Sequence, residues 1–257
     1  MNCIDFLEGD LKKHIIRVWE TETSPFIFVH IPKTGGTSLQ RDLNMTFPDS
    51  LHVPFEDKER HWQDALNRLQ SEPPSVVRGH LNHKHLQDLK EKKIEARWVT
   101  YLRHPADRLV SQFIWAKSNH RNDPKKHTSP GPFDKYCERM SKNYFCDLLV
   151  GQTATADEAI AKVVDRFWFV GVTEFSHACQ AVLFAAMGER YRVRQRRNQT
   201  LVHDEDRAEI DDRCLKHAMN SMQIDLALFE FFYSKWSARI NDVIELLMKQ
   251  SKLPIQN

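Results

Sequence analysis

The sequence predicts an α/β fold of three layers, in which a central, mainly parallel sheet is flanked by helices. Short apolar runs typical of buried strands alternate along the chain with longer segments whose apolar residues recur at helical spacing. The chain has 257 residues, of which 41% are hydrophobic and 28% charged, so it can bury one large core. We therefore expect a single domain over residues 1–257, with its core at about 24–200 and C-terminal helices at 201–257.

The elements follow from these patterns in chain order. Strands are predicted at 26–31, 75–79, 97–102 and 167–173. Helices are predicted at 37–46, 57–70, 83–93, 105–118, 135–149, 156–165 and 175–187. Two more helices are expected between Asp204 and Met248, where Leu228, Phe232 and Trp236 belong to an apolar face. The polar segment 118–133, rich in proline and glycine, is predicted to be a surface loop that either contacts substrate or only connects.

The segment from Phe26 to Ser38 is the most informative part of the chain. An apolar strand ends at Pro32, a lysine and two glycines follow, and a helix begins near Thr37. A strand, a Gly-rich turn and a helix N-terminus form an arrangement that binds phosphate through backbone N–H groups. Lys33 precedes both glycines, so the order is not that of a Walker A loop. An ordinary strand-to-helix turn is the alternative.

A second strand-to-helix junction strengthens this interpretation. The strand 97–102 leads into Arg103, and Pro105 is well placed as the first residue of a helix. Arg103 then lies at the carboxyl end of a strand, where α/β sheets bind ligands, and Ser111 is expected near the start of the helix. Arginine and a hydroxyl group suit a second phosphate. Arg108 is predicted either to join them or to form a surface ion pair.

Together the two segments resemble the sulfotransferases that use 3′-phosphoadenosine 5′-phosphosulfate (PAPS). The similarity is to the branch of Golgi carbohydrate O-sulfotransferases, of the heparan sulfate 2-O and 6-O type, and their bacterial relatives. It covers about residues 24–200 and implies a P-loop-NTPase-like sulfotransferase fold. The resemblance also implies that PAPS is the cofactor and adenosine 3′,5′-bisphosphate (PAP) the product, with no metal required. The cofactor-binding residues that it implies are Lys33, Thr34, Gly35, Gly36, Thr37, Ser38, Arg103, Ser111 and Asn198.

Sulfuryl transfer needs charge stabilisation and a base for the acceptor hydroxyl. Lys33 is the candidate stabiliser. His80 follows the strand 75–79 at the same sheet edge, histidine titrates near neutrality, and the family carries a catalytic histidine in a Gly-His segment of this kind. His30 is a weaker candidate that we place with the substrate-binding residues. A purely structural role is the alternative for each histidine.

Two further patterns have open interpretations. His83 and His85 are two apart in a predicted helix, where their side chains point in different directions, so we expect no metal site. Arginines alternate from Arg190 to Arg196, and in an extended segment they project to one side. They form either a solvated edge strand or a basic wall, including Arg192 and Arg194, that binds an anionic acceptor.

These observations predict a PAPS-dependent O-sulfotransferase whose acceptor is a hydroxyl, expected on a carbohydrate and open to an anionic glycan or a small metabolite. A nucleotide-dependent phosphotransferase and a non-catalytic nucleotide-binding relative are the alternatives. The formal net charge of +2 does not suggest a nucleic-acid binder. No apolar run is long enough to span a membrane and the first residues do not resemble a signal peptide, so a soluble, cytoplasmic protein is expected.

Overall fold

Five parallel strands form the central sheet of the protein. The computed structural model describes residues 3–11, 24–140, 142–189 and 204–250. The strands in these ranges are β1 (Phe26–Val29), β2 (Leu51–Val53), β3 (Val76–Gly79), β4 (Arg97–Leu102) and β5 (Phe169–Val172). They lie in the order β2-β3-β1-β4-β5, and every neighbouring pair is parallel. The predicted α/β fold with a parallel central sheet is confirmed.

Helices connect and flank the strands. They are α1 (Cys3–Glu8), α2 (Gly36–Thr46), α3 (Lys58–Ser71), α4 (His83–Glu91), α5 (Pro105–Asn122), α6 (Phe133–Met140), α7 (Tyr144–Leu149), α8 (Ala156–Arg166), α9 (Ser176–Ala186), α10 (Asp204–Ala208), α11 (Asp212–Asn220) and α12 (Gln223–Gln250). A short 3₁₀ turn, Thr173–Phe175, joins β5 to α9. Across the ranges given above, no helix has both the length and the apolar content that crossing a membrane requires.

The core lies on both faces of the sheet. Every residue of β1 and of β5 is buried, as expected where helices cover a parallel sheet on both sides. The long helix α12 packs against β5, and its buried Trp236 donates a hydrogen bond from Nε1 to the carbonyl oxygen of Val170 at 2.9 Å. This bond satisfies the indole N–H in an otherwise apolar contact.

The structure differs from the predicted elements in four places. β2 was not predicted. The single helix expected at 135–149 is divided into α6 and α7, and the chain from Asp204 onward forms three helices rather than two. Helix α5 continues to Asn122, so the predicted loop at 118–133 begins only after that residue.

The strand order explains where a site can form. β1 lies between β3 and β4, so the chain segments that follow these three strands meet at the carboxyl edge of the sheet. These are the segments in which the sequence places Lys33, His80 and Arg103. After β1 the chain crosses to the outer strand β2, and after β4 it moves in the opposite direction to β5. Such a switch in direction opens a crevice for ligands at the strand ends.

Candidate active site

A cavity of about 1530 Å³ opens at the carboxyl edge of the sheet. All five strands contribute to it through the residues that follow them. Its lining includes Lys33 and Gly35–Ser38 after β1, Phe55–Glu56 and Lys58 after β2, His80–His83 after β3, Arg103 and Ser111 after β4, and Thr173 after β5. The structure therefore brings most of the predicted site residues into one cavity, although His30 and Ser111, the first and last of them, are 81 positions apart in the sequence.

The turn after β1 has the backbone of an anion-binding loop. Lys33 and Gly35 have φ angles of 70° and 75°, whereas Thr34 between them does not lie in the left-handed region. Gly35 is the N-cap of α2, and no side chain caps this helix. The N–H groups of Gly36, Thr37 and Ser38 therefore lack intrahelical partners, and these residues line the cavity. Uncapped N–H groups at the positive end of a helix dipole favour a bound anion.

Neighbouring residues fix this turn in place. Thr34 is 1% exposed, and its hydroxyl donates a hydrogen bond to the carbonyl oxygen of Ile31 at 2.9 Å. The Thr173 hydroxyl lies 2.8 Å from the carbonyl oxygen of Thr34 and 2.9 Å from that of Leu102. Thr34 was predicted to bind the cofactor, but its side chain is directed into the protein and does not line the cavity. Its side chain instead braces the loop.

The Lys33 ammonium is held in an electropositive, partly desolvated position. Burial lowers the pKa of Lys33, and the neighbouring Arg103 guanidinium lowers it further. Arg103 Nη1 donates a hydrogen bond to the carbonyl oxygen of Lys33 at 3.2 Å, which joins the end of β4 to the loop after β1. The Lys33 Nζ atom lies 5.7 Å from the centroid of the Trp115 ring, within the range of a cation–π contact. Two cations held this closely favour an anion between them.

Helix α5 supplies the opposite wall. Asp107, Ser111 and Trp115 line the cavity and are four residues apart, which places them on one helix face. Arg108 does not line the cavity: it is 2% exposed, and its guanidinium lies 4.5 Å from the centroid of the Tyr144 ring. The surface ion pair, one of the two alternatives predicted for Arg108, was therefore wrong, because this side chain is buried beneath α7. The other alternative is not supported either, because Arg108 does not line the cavity with Arg103 and Ser111.

His80 has the geometry of a general base. Its Nδ1 lies 3.0 Å from the carbonyl oxygen of His30, and a carbonyl can only accept, so Nδ1 carries the proton. In the neutral ring Nε2 is then free to accept a proton. Burial lowers the pKa of His80, and the hydrogen bond to the His30 carbonyl partly opposes that shift. The imidazole is therefore neutral, with a defined tautomer, at physiological pH.

His30 is packed between His80 and the loop. The rings of His30 and His80 are stacked with centroids 4.5 Å apart. A Cβ on Gly36 would lie 2.0 Å from the His30 ring, so only glycine fits at the start of α2. Burial, followed by the charge of His80, lowers the pKa of His30 to about 3. A histidine this difficult to protonate is a neutral spacer beneath the loop.

Two other histidines after β3 have separate partners. His83 Nδ1 lies 3.0 Å from the carbonyl oxygen of Asp147, whereas His85 forms a reciprocal capping interaction with Asn82 at the start of α4. In the part of the chain that the structure describes, no three His, Cys, Asp or Glu side chains are grouped in a way that would hold a metal ion.

Some predicted site residues lie outside the described part of the chain, and some residues of the cavity wall were not predicted. Asn198, Arg192 and Arg194 lie outside the described residues, as does the whole segment 190–203. Sequence reasoning missed Phe55 and Trp115, which are large, exposed and part of the cavity wall. The position of Trp115, four residues after Ser111, was a usable signal. Phe55 had none, because its place depends on the unpredicted strand β2.

Comparison with known proteins gives similar solved structures and no family assignment. No protein-family model matches the chain, and no curated protein sequence matches it. Among solved structures, the chain is similar to mouse sulfotransferase SULT7A1 complexed with PAP, with a TM-score of 0.41 and 15% sequence identity. The alignment covers 82% of this chain and 69% of that one. The functional assignment therefore rests on the residues of the cavity.

Proposed function

We propose that this chain is a PAPS-dependent O-sulfotransferase, related to the carbohydrate O-sulfotransferases that its two motifs resemble. The observation that carries the proposal is the convergence of three groups at one sheet edge. These are an uncapped helix N-terminus beside Lys33, a second cationic and hydroxyl-bearing pair in Arg103 and Ser111, and a neutral histidine of defined tautomer in His80.

The donor set fits a nucleotide with phosphate groups at two positions. The N–H groups of Gly36, Thr37 and Ser38, together with Lys33, would hold the 5′-phosphosulfate. Arg103 and Ser111 would hold the 3′-phosphate, for which a guanidinium and a hydroxyl are suitable donors. Asn198 remains a predicted nucleotide contact.

Each residue then has a role in an in-line displacement. When bound, PAPS would supply an activated sulfuryl group; its transfer would form a bond between the acceptor oxygen and sulfur and break the bond between sulfur and the phosphate oxygen. His80 Nε2 accepts the hydroxyl proton of the acceptor. The Lys33 ammonium and the N–H groups at the start of α2 stabilise the negative charge that develops on the leaving phosphate. A carbohydrate is the proposed acceptor, on the resemblance alone.

Calorimetric titration with PAP and ADP tests the proposal. PAP should bind at least tenfold more tightly than ADP, because a hydrogen bond to a charged group contributes about 1.5–3 kcal/mol. The Arg103→Ala variant should lose this preference, whereas Arg139→Ala, which changes an arginine outside the cavity, should retain it. Equal affinities in the unmodified protein would contradict the proposal. Tighter binding of ATP with Mg²⁺ than of PAP would favour the phosphotransferase alternative.

A further inference from the structure

Phe55 is an apolar side chain left in water at the mouth of the cavity. It is 75% exposed, more than any other large hydrophobic residue in the described ranges. Single exposed apolar residues are common on protein surfaces and need no explanation by themselves. Phe55 differs because it lines the cavity, and its ring lies edge-to-face against His80 with centroids 6.1 Å apart.

The backbone fixes Phe55 at this place. β2 pairs with β3 in parallel, with Val53 opposite Gly79, so that Phe55 emerges beside His80. A Cβ on Gly79 would lie 2.2 Å from the carbonyl oxygen of Val53, so glycine is required for this close approach. The segment after Phe55 enters α3 through Asp57, which has a left-handed φ of 49°. The ring is thus presented by a defined turn between two elements.

Phe55 lies on the side of the cavity away from the nucleotide residues. It follows β2, whereas Arg103 and Ser111 follow β4, and the sheet order separates β2 from β4 by three strand spacings. At about 4.8 Å per spacing, that is about 14 Å. His80, between them at the end of β3, is the residue to which we assign the acceptor proton. A group beside Phe55 is therefore placed on the acceptor side of the base.

We propose that Phe55 is the stacking platform for the acceptor, and that the acceptor hydroxyl is carried on a six-membered ring with an apolar face. The inference rests on the proposed function, since it assumes that His80 receives the hydroxyl proton. Because the rings of Phe55 and His80 are neighbours, with centroids 6.1 Å apart, an acceptor ring stacked on Phe55 would bring a hydroxyl at its edge close to the imidazole. Glu56 and Lys58 line the same wall and can bind polar substituents of the ring.

Two classes of acceptor carry a hydroxyl on such a ring, phenols and sugars, and the experiment distinguishes them. A phenol presents an aromatic face, and a pyranose presents a face of C–H groups; both stack on phenylalanine. The probes are 2-naphthol, methyl β-D-glucopyranoside and the acyclic polyol sorbitol, each titrated against the complex of the protein with saturating PAP and followed by ligand-observed NMR. The variants are Phe55→Ala and Phe55→Tyr, and Met45→Ala is the control, since Met45 is an exposed apolar residue that does not line the cavity.

At least one ring-bearing probe should bind tenfold or more tightly than sorbitol. Phe55→Ala should lower the affinity for that probe by about tenfold, whereas Phe55→Tyr and Met45→Ala should leave this affinity within twofold of that of the unmodified protein. The affinity for PAP should not change in any variant. Preference for 2-naphthol identifies an aromatic acceptor, and preference for the glucoside identifies a sugar. If neither ring exceeds sorbitol, or if Phe55→Ala binds as the unmodified protein does, the platform is refuted while PAP binding still stands. Failure to bind PAP at all would refute the proposed function itself.

Discussion

At the scale of single residues, the site depends on two side chains whose positions are set by main-chain contacts. The protonation state of His80 is defined by one backbone carbonyl, that of His30. Lys33, whose ammonium is influenced by the charge of Arg103, has a left-handed backbone conformation, φ 70°, which is unfavourable for a residue with a Cβ. Such strain tends to persist where function requires it.

His80→Ala should lower kcat by about 10²–10⁴-fold and leave PAP affinity unchanged, because the base acts on the acceptor proton. Because burial lowers the pKa of His80, the acidic limb of the kcat/KM profile should lie below the ordinary histidine value of 6.5. Steady-state kinetics across pH 4.5–8 check both expectations. His217→Ala is the matched control, since that imidazole is exposed and does not line the cavity. Turnover of His80→Ala within tenfold of normal would assign the base to another residue, with His30 and Glu56 the first to test.

Lys33 allows charge and backbone strain to be separated. Lys33→Ala and Lys33→Gly should both weaken PAP binding and lower kcat by about 10²–10³-fold, since each removes the ammonium. Glycine adopts a positive φ without strain, so Lys33→Gly should be more stable than Lys33→Ala by about 1 kcal/mol. Urea denaturation measures the stability difference, and calorimetry measures the affinity for PAP. Equal stability of the two variants would show that the left-handed φ at Lys33 stores no strain.

At the scale of elements, the wall of the cavity near α7 depends on two helices that cap each other. Asn143 Oδ1 accepts hydrogen bonds from the N–H groups of Ile224 and Asp225, at 3.0 and 3.1 Å, at the start of α12. The Asp225 carboxylate accepts from Phe145 and Cys146, at 2.8 and 2.9 Å, at the start of α7. Burial raises the pKa of Asp225 to about 7, although these bonds and Arg108 oppose the shift.

Asn143→Ala should lower the free energy of unfolding by about 1–2 kcal/mol, because it leaves two helix N–H groups without a partner. It should also raise the KM for the acceptor, since Tyr144 and Leu148 of α7 line the cavity. Thr155→Ala is the control. The Thr155 hydroxyl caps α8 by accepting a hydrogen bond from the backbone N–H of Glu158, so its removal should lower the free energy of unfolding by about 1 kcal/mol without changing KM. Equal kinetic effects of the two variants would show that the reciprocal caps do not shape the site.

The same elements show what could be predicted from the sequence. β1 and β4 were predicted because each is an apolar run that ends at a local motif, and Lys33, Arg103 and Ser111 of those motifs line one cavity. β2 was missed because three residues carry no pattern, and its pairing with β3 depends on the approach of Val53 to Gly79. The break between α6 and α7 was missed because Asn143 caps a helix 80 residues away. The burial of Arg108 follows from that same packing.

At the scale of the whole molecule, the site is built by placing polar and titratable groups at the buried edge of an apolar sheet. Burial is the largest cause of a lowered pKa for His30, His52, His80 and His85, all near that edge. A histidine whose pKa is lowered by folding stabilises the folded state above its unfolded pKa. That contribution is lost as the pH falls, because the unfolded chain takes up the proton first. These histidines therefore lower the stability of the folded protein between pH 7 and pH 5, whereas Asp225, whose pKa burial raises to about 7, opposes that loss because the folded protein takes up its proton first.

His30 should contribute most to this loss, since its pKa falls from 6.5 to about 3. Between pH 7 and pH 5 the unfolded chain gains about 2 kcal/mol from protonating this residue, and the folded protein gains almost nothing. His30→Gln removes the titrating group and keeps a polar side chain of similar size. From pH 7 to pH 5, the unfolding free energy of this variant should therefore rise by about 2 kcal/mol relative to that of the unmodified protein. Urea denaturation at half-unit pH intervals measures both curves, and their slopes are compared, because the substitution also alters the contact with Gly36. Parallel curves would mean that His30 is protonated as easily in the folded protein as in the unfolded chain, and that it is not the neutral spacer beneath the loop.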